Sequence, residues 1–381
     1  MTLDDLRYFA SPEGQDLLRA ASELSGDDLA RLTRLRKTYP PDRCRAVVTL
    51  LTLRERARTK FSRAADMAFD RDGLEQASGE IIAAHRARRY RGCGRVVDLC
   101  CGVGGDTAGL AAVAEVVAVD IAPNRVGMTR WNAAVYGVDD CVRGVCADGS
   151  QWLPEADAVF MDPARREGDR RFLALAHYRP PVRLDRLRAV TPHIGVKIAP
   201  GIPYSEIPDG CEVEFISESG ACKEAVLWFG KLRTDAERRA TILPLGETLA
   251  LRSSAEIPVR PPGGYIYEPD RAVIRAHLVE QVADDLDAWK LSVDVAYLSS
   301  DRCADTPFAR CYRVIDVLPF NLKKLQRYLS TARIGRLDIK KRRFPLTPEA
   351  LRSRLKLKGD GYLTLFLTRI ADRPTAIVCA P

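Results

Sequence analysis

The residues with the clearest chemical meaning form one run, Val97-Asp98-Leu99-Cys100-Cys101-Gly102-Val103-Gly104-Gly105-Asp106. An apolar stretch ends, glycines turn the chain and a helical pattern follows. Glycine suits such a turn because a backbone without Cβ lets a bulky nucleotide-type ligand come close. The spacing is near that of a dinucleotide fingerprint, but Thr107 and Ala108 stand where its third glycine would fall. Asp98 lies just ahead of the turn, where a carboxylate repels a pyrophosphate and attracts a cation. S-adenosylmethionine carries an ammonium and a sulfonium, so the run favours that cofactor over NAD, and methyl transfer over hydride transfer. Cys100 lines the turn with Gly102 and Gly104. Cys100 and Cys101 lie in the cofactor turn rather than in a substrate loop, so they read as packing thiols, not nucleophiles.

Three further carboxylates close apolar stretches. Asp120, with Ile121 after it, ends EVVAVD 22 residues beyond Asp98. There it can accept both ribose hydroxyls; the plainer role is a helix N-cap. Asp148, followed by Gly149, ends CVRGVCAD and is placed to take the adenine amino group or to make a turn. Asp162 ends ADAVFMD and leads into Pro163-Ala164-Arg165-Arg166. Ligands of open α/β sheets lie beyond the carboxyl ends of the strands, so this loop faces the transferable methyl. Asp162 can accept hydrogens from a target nitrogen. Pro163 stiffens the loop and leaves its carbonyl free to accept another. Arg165 and Arg166 suit a phosphate, unless the segment is a surface turn with solvated arginines.

These carboxylates need a parallel sheet to bring them together. From Arg95 onward, Val-rich stretches alternate with helical patterns, as expected for an α/β, Rossmann-like sheet covered on both faces. HIGVKIAP supplies another strand, and CEVEFIS with CKEAVLWFGKL reads as an antiparallel pair. Residues 1–58 read as a helical region. Residues 59–93 form a bridge in which Ser78 is a candidate N-cap ahead of Ile81 and Ile82. Residues 59–245 are then a methyltransferase-type domain, 246–314 an α+β unit and 315–381 a basic α+β unit. In the third unit, RAVIRAHLVEQVADDLDAW reads as one amphipathic helix.

Hydrophobic residues make up 46% and charged residues 29% of the 381, an ordinary globular mix. The start, MTLDDLRYFASPEG, lacks the apolar core of a signal peptide, and no stretch nears the ~20 apolar residues of a membrane span. The expected location is cytoplasmic. The eleven cysteines are irregularly spaced and the four histidines scattered, so reduced, buried thiols and no metal site are expected.

Net charge is +8, and its distribution is uneven. From Asn321 to Lys358, thirteen basic residues face two acidic ones, Asp338 and Glu349, which leaves +11 there and −3 elsewhere. Lys340, Lys341, Arg342 and Arg343 form the densest run, next to Phe344. Such a segment fits a polyanion, with arginines and Phe344 available to stack on unpaired bases; a solvated charged face is the alternative. The expected partner is RNA, with tRNA or rRNA foremost.

VVDLCCGVGGDTAGLA, VVAVDIAP and WNAAVYGVDD resemble the cofactor-binding run of the trimethylguanosine synthase family of RNA methyltransferases, and FSRAADMAFDRDGLEQASGEIIAAHRARR resembles the segment that precedes it. The resemblance covers about 59–162. It implies a class I methyltransferase fold with Asp98, Gly102, Gly104, Asp120 and Asp148 around the cofactor, and Phe61 and Ser62 closing over it. That family's fourth-strand loop is Ser-Pro-Pro-Trp, whose tryptophan stacks on a methylated cap base. Here the loop is Asp162-Pro163-Ala164-Arg165, so cap recognition is not implied. The Asp-Pro-Ala-Arg-Arg loop joined to a basic C-terminal unit is similar to a bacterial methyltransferase family with a THUMP-like domain, which implies RNA binding within about 315–381 and a ferredoxin-like unit before it, over 246–314. The reading is a methyltransferase acting on a base nitrogen of structured RNA. Its rivals are a methyltransferase for protein or small molecules, and an RNA-binding protein that keeps the cofactor fold without catalysis.

Overall fold

A computed structural model describes residues 1–381 apart from 168, 169 and 254; at 166, 167, 170 and 171 it describes the backbone alone. The chain divides into two compact units, residues 1–214 with 224–237, and residues 215–223 with 238–381.

The first unit opens with α1 (Leu3–Ala10), α2 (Pro12–Glu23), α3 (Asp28–Leu35) and α4 (Pro41–Ala57). Thr2, Ser11 and Asp27 cap the first three with side-chain oxygens. Leu17, Leu18 and Ala21 bury their apolar face against Val47, Val48 and Leu50. The expected boundary at 58/59 does not separate two cores, because Leu6 and Leu53 share one cluster with Val103 and Met128.

After α5 (Arg71–Gln76) and α6 (Glu80–Ala87) the sheet begins. Its elements are β1 (Arg95–Leu99), α7 (Gly105–Ala111), β2 (Glu115–Asp120), α8 (Pro123–Tyr136), β3 (Val142–Cys146) and β4 (Ala158–Met161). A short pair follows, β5 (Arg166–Glu167) and β6 (Arg170–Arg171), then α9 (Leu184–Val190), β7 (Ile194–Ile198), β8 (Glu212–Glu218) and β9 (Ala221–Trp228). The order is β8-β9-β7-β4-β1-β2-β3. Strands β1 to β4 and β7 run parallel, and β9 runs antiparallel to β7. The apolar runs explain this placement: β4 and β7 are buried along their whole length and β1 exposes only its first residue. The chain leaves β1 toward β2 and later returns to β1's other edge as β4. This reversal opens a crevice at the carboxyl ends of β1 and β4, the place where open α/β sheets bind ligands.

The second unit carries the hairpin of β10 (Arg238–Leu243) and β11 (Glu247–Ala250), so the expected boundary at 245/246 falls inside a turn. Next come β12 (Tyr265–Pro269), α10 (Arg271–Arg275), α11 (Val279–Asp285), β13 (Trp289–Ser292), β14 (Val295–Ser300) and β15 (Ala309–Pro319). Then follow α12 (Leu322–Thr331), β16 (Ile334–Lys341), α13 (Pro348–Arg352), β17 (Gly361–Ile370) and β18 (Arg373–Cys379). One sheet, ordered β13-β14-β12-β15-β18-β17-β16, unites them. The expected 314/315 boundary therefore lies within a continuous strand, β15. The single helix expected over 271–289 is two, because His277 takes φ 54° and breaks the ladder.

Several local expectations are corrected. The N-cap of α6 is Gly79, not Ser78, whose hydroxyl is used elsewhere. All eleven cysteines are free, but Cys141, Cys146 and Cys303 are exposed rather than buried. Among the described residues, no helix is long and apolar enough to cross a membrane.

Gly195, in β7, has no room for a side chain. A Cβ there would lie 2.3 Å from the Tyr90 hydroxyl and 2.7 Å from Trp228. Gly195→Ala is therefore expected to destabilise the chain by about 1–3 kcal/mol through overpacking, read as a lower urea midpoint at unchanged slope.

Candidate active site

The turn after β1 is strained as a ligand cradle should be. Cys100, Gly102 and Gly104 all take positive φ, of 64°, 59° and 80°. A side chain at Gly104 would put Cβ 2.9 Å from the Thr129 backbone, while a Cβ at Gly102 meets nothing closer than 3.9 Å, so that face is open. Burial pushes both the Cys100 and Cys101 thiols well up, with Asp120 and Asp98 respectively adding to it, so neither is a ready thiolate nucleophile.

Asp98 is fully buried. Its Oδ2 accepts from the Thr107 hydroxyl, and its Oδ1 is buried with no hydrogen-bond partner. Burial, reinforced by the charges of Asp106 and Asp162, pushes this carboxyl well above the usual range. An orphaned buried carboxylate oxygen is costly unless a donor reaches it.

Asp120 ends β2 with both oxygens engaged: Oδ2 accepts the Gly102 amide at 3.0 Å and Oδ1 the Ala122 amide at 2.9 Å. These bonds fix the carboxylate beside the turn and leave lone pairs for hydroxyl donors. Ile121 is 69% exposed, an apolar surface with no protein cover. Asp148 accepts from Ser150, which holds its carboxyl below the usual range. Gly149 backs directly onto Leu99, where an added Cβ would stand 3.1 Å from the leucine, so the β3 turn and the end of β1 share one wall. Phe61 is buried, and its ring edge abuts Gly105, just past the turn. These groups suit S-adenosylmethionine: Asp98 for a cation, Asp120 for ribose hydroxyls, Ile121 for an adenine face and Asp148 for its amino group.

Beyond β4, Asp162 is half-buried and its Oδ2 takes the Lys197 ammonium at 2.6 Å. Pro163 is buried. Arg165 donates to the Ile198 carbonyl at 2.9 Å, which ties the loop to the end of β7 and occupies part of the guanidinium offered to phosphate. The Arg166 side chain lies outside the described residues.

Lys197 was not foreseen. Its side chain is 3% exposed, and besides Asp162 it donates to the Ser78 hydroxyl at 2.8 Å. Ser78 donates to Asp106, Asp106 pairs with Arg86, and Arg86 pairs with Glu224. A single relay of buried charge thus runs from Glu224 to the mouth of the site. One cue was present, a lone ammonium inside the apolar run HIGVKIAP.

The dense basic run of the second unit is largely committed. Lys340 pairs with Glu268, and Arg343 with Asp294. Lys341 donates to the Phe344 carbonyl at 3.1 Å, and Arg342 lies over the Tyr297 ring at 5.0 Å. Phe344 is 5% exposed and packs edge-on against Phe320, so it is core rather than a base-stacking platform.

The raised Asp98 carboxyl makes cation binding depend on pH. Below its raised pKa the group is protonated, and a ligand cation must displace that proton. Affinity for S-adenosylmethionine is therefore expected to rise with pH through that range, by at most about tenfold per pH unit. Asp98→Asn should bind more weakly and flatten the dependence, as measured by calorimetry across pH.

Comparison with known proteins bears on the family and the fold. Residues 93–176 match the family model described as RNA cap guanine-N2 methyltransferase, 309–381 match THUMP domain-like, and 2–57 match a domain of unknown function. Two proteins of Mycobacterium tuberculosis, from strains CDC 1551 and H37Rv, are 37% identical over 360 residues. Both are named as uncharacterized S-adenosylmethionine-dependent methyltransferases, and the match covers 89% of this chain and 98% of theirs. A 23S rRNA uracil C5-methyltransferase of Shewanella amazonensis is 36% identical over 111 residues, 26% of this chain and 25% of that one. A crystal structure from Porphyromonas gingivalis W83, described as of a methyltransferase, superposes with a TM-score of 0.83 at 23% identity, covering 100% of this chain and 99% of that one, and so shares the fold. With that fold, that turn and relatives of that length, the chain belongs to the family of S-adenosylmethionine-dependent methyltransferases.

Proposed function

We propose that this methyltransferase acts on a base nitrogen of structured RNA, tRNA or rRNA. One observation carries the reading. The chain joins its methyltransferase unit to a C-terminal segment, matched as THUMP domain-like, that concentrates the excess positive charge. The match of residues 93–176 to an RNA-modifying family and the local likeness to an rRNA methyltransferase support the same substrate class.

When bound, S-adenosylmethionine supplies an electrophilic methyl on its sulfonium. Asp98 and the glycine turn hold that cofactor at the carboxyl end of β1. Asp162 stands across the crevice at the end of β4. Lys197 fixes Oδ2 of Asp162, which leaves Oδ1 to accept a hydrogen from the target nitrogen and so aim its lone pair. The Pro163 carbonyl is the second acceptor. Positioning and local electrostatics supply the acceleration. A base within a duplex must first leave its stack.

Transfer of tritiated methyl to fractionated cell extract tests the substrate class. Label in RNA is expected, with mass spectrometry of nucleosides from a deletion strain naming the lost nucleotide. Label confined to protein would sink the reading in favour of a protein methyltransferase.

Asp162→Asn is expected to lower kcat by about 10²-fold or more while S-adenosylmethionine affinity stays within a few-fold. Lys197→Met leaves the half-buried Asp162 carboxylate without its ammonium partner, at a cost of about 1–3 kcal/mol. Adding Asp162→Asn to it should restore part of the stability and none of the activity, as read by denaturation and single-turnover assay.

A further inference from the structure

Lys340, Arg342 and Arg343 are engaged by Glu268, Tyr297 and Asp294, the last pair at the surface, and further exposed positive charge lies on other elements of the second unit. Helix α12 buries Leu325 and Leu329 and exposes Lys323, Lys324 and Arg327. Lys323 and Arg327 stand four residues apart and so neighbour each other on the helix surface. Between them Gln326 grips the chain that follows α13: its side-chain amide donates to the Lys356 carbonyl at 2.9 Å and accepts the Lys356 amide at 2.7 Å. That pair of hydrogen bonds lays the segment after α13 along the helix.

Burial along the segment alternates. Leu355 and Leu357 turn into the core that contains Leu325 and Leu329, and Arg354, Lys356 and Lys358 are exposed. Arg354 lies in the turn that ends α13; beyond it Lys356 and Lys358 are alternate residues, at most about 6.6 Å apart along a strand-like chain, a spacing comparable to that of successive phosphates along a nucleic-acid strand. The acidic residues nearby are few. Asp338 accepts the Tyr362 hydroxyl at 2.6 Å, while Glu349 and Asp360 flank the ledge at its ends. The exposed groups of the ledge are cations, with no exposed aromatic side chain among them to read a base.

We infer that Lys323, Arg327, Arg354, Lys356 and Lys358 form a phosphate-tracking ledge that binds an RNA backbone without reading its sequence. This rests on the RNA reading above and moves the contact away from Lys340–Arg343. Such contacts hold and orient RNA and make affinity salt-dependent, while target choice is left to other surfaces.

The experiment uses the full chain, fluorescein-labelled unfractionated tRNA as probe and a salt titration. In the triple variant Arg354→Ala/Lys356→Ala/Lys358→Ala, affinity is expected to fall by about ten- to a hundredfold at ~0.15 M salt. The slope of log K against log salt should flatten by about 2, at ~0.7–0.9 per phosphate contact. Melting temperature and S-adenosylmethionine binding should stay at wild-type values, because the three side chains are exposed. Lys323→Ala/Arg327→Ala, on the other element, should reproduce the effect and serves if the triple variant fails to fold. If wild type binds tRNA and both variants bind it equally well with unchanged slope, the ledge is overturned and the RNA reading stands. If wild type binds no tRNA, both fall; tight binding to phosphatidylglycerol vesicles instead would reassign the ledge to an anionic lipid surface.

Discussion

The candidate site of the first unit is arranged around negative charge buried near the carboxyl ends of a parallel sheet. Asp98, Asp106, Asp162 and Glu224 face two cations, Arg86 and Lys197. Burying a carboxylate is tolerable only if it is paired, hydrogen-bonded or protonated. Arg86 satisfies Asp106 and Glu224, and Lys197 satisfies Asp162. Asp98 is left with one oxygen capped by Thr107 and the other orphaned, with its carboxyl pushed up. A cationic ligand removes that mismatch, and S-adenosylmethionine brings one. The same constraint explains the surroundings. The turn must be glycine-rich to leave the ligand room, and β1, β4 and β7 must be buried on both faces to keep water off the relay.

Part of this arrangement was legible in the residues themselves. A carboxylate at the end of each of four apolar runs is a local pattern, and a parallel sheet places strand ends side by side. Asp98, Asp120, Asp148 and Asp162 could therefore be placed at neighbouring strand ends without coordinates. The glycine spacing and the absence of a third glycine separated this cofactor from a dinucleotide for a local reason as well.

The rest depends on pairs far apart in the chain. Ser78 looked like a helix cap because serine before a helix usually is one; its partners, Asp106 and Lys197, lie 28 and 119 residues away. The helix broken at His277 was hidden because amphipathic spacing continues through a residue whose backbone leaves the helical region. The Lys340–Arg343 run is the instructive case. As a string it is the densest charge in the chain, yet three of its members are consumed by Glu268, Tyr297 and Asp294, each more than 40 residues earlier. Long-range partners, not local charge density, decide which exposed cations are already engaged, and alternating burial turns Arg354, Lys356 and Lys358 to solvent beside α12.

The chain thus joins a methyltransferase fold, with carboxylates gathered at the ends of its parallel strands, to a second unit whose exposed charge is spread over a helix and an adjoining segment. The most direct test of the central claim is a high-resolution crystal structure of the chain with S-adenosylmethionine. The predicted result is a ligand cation within hydrogen-bond reach of Asp98 Oδ1, with ribose hydroxyls on Asp120. A ligand that leaves Asp98 Oδ1 orphaned, or that binds away from the β1 turn, would contradict it.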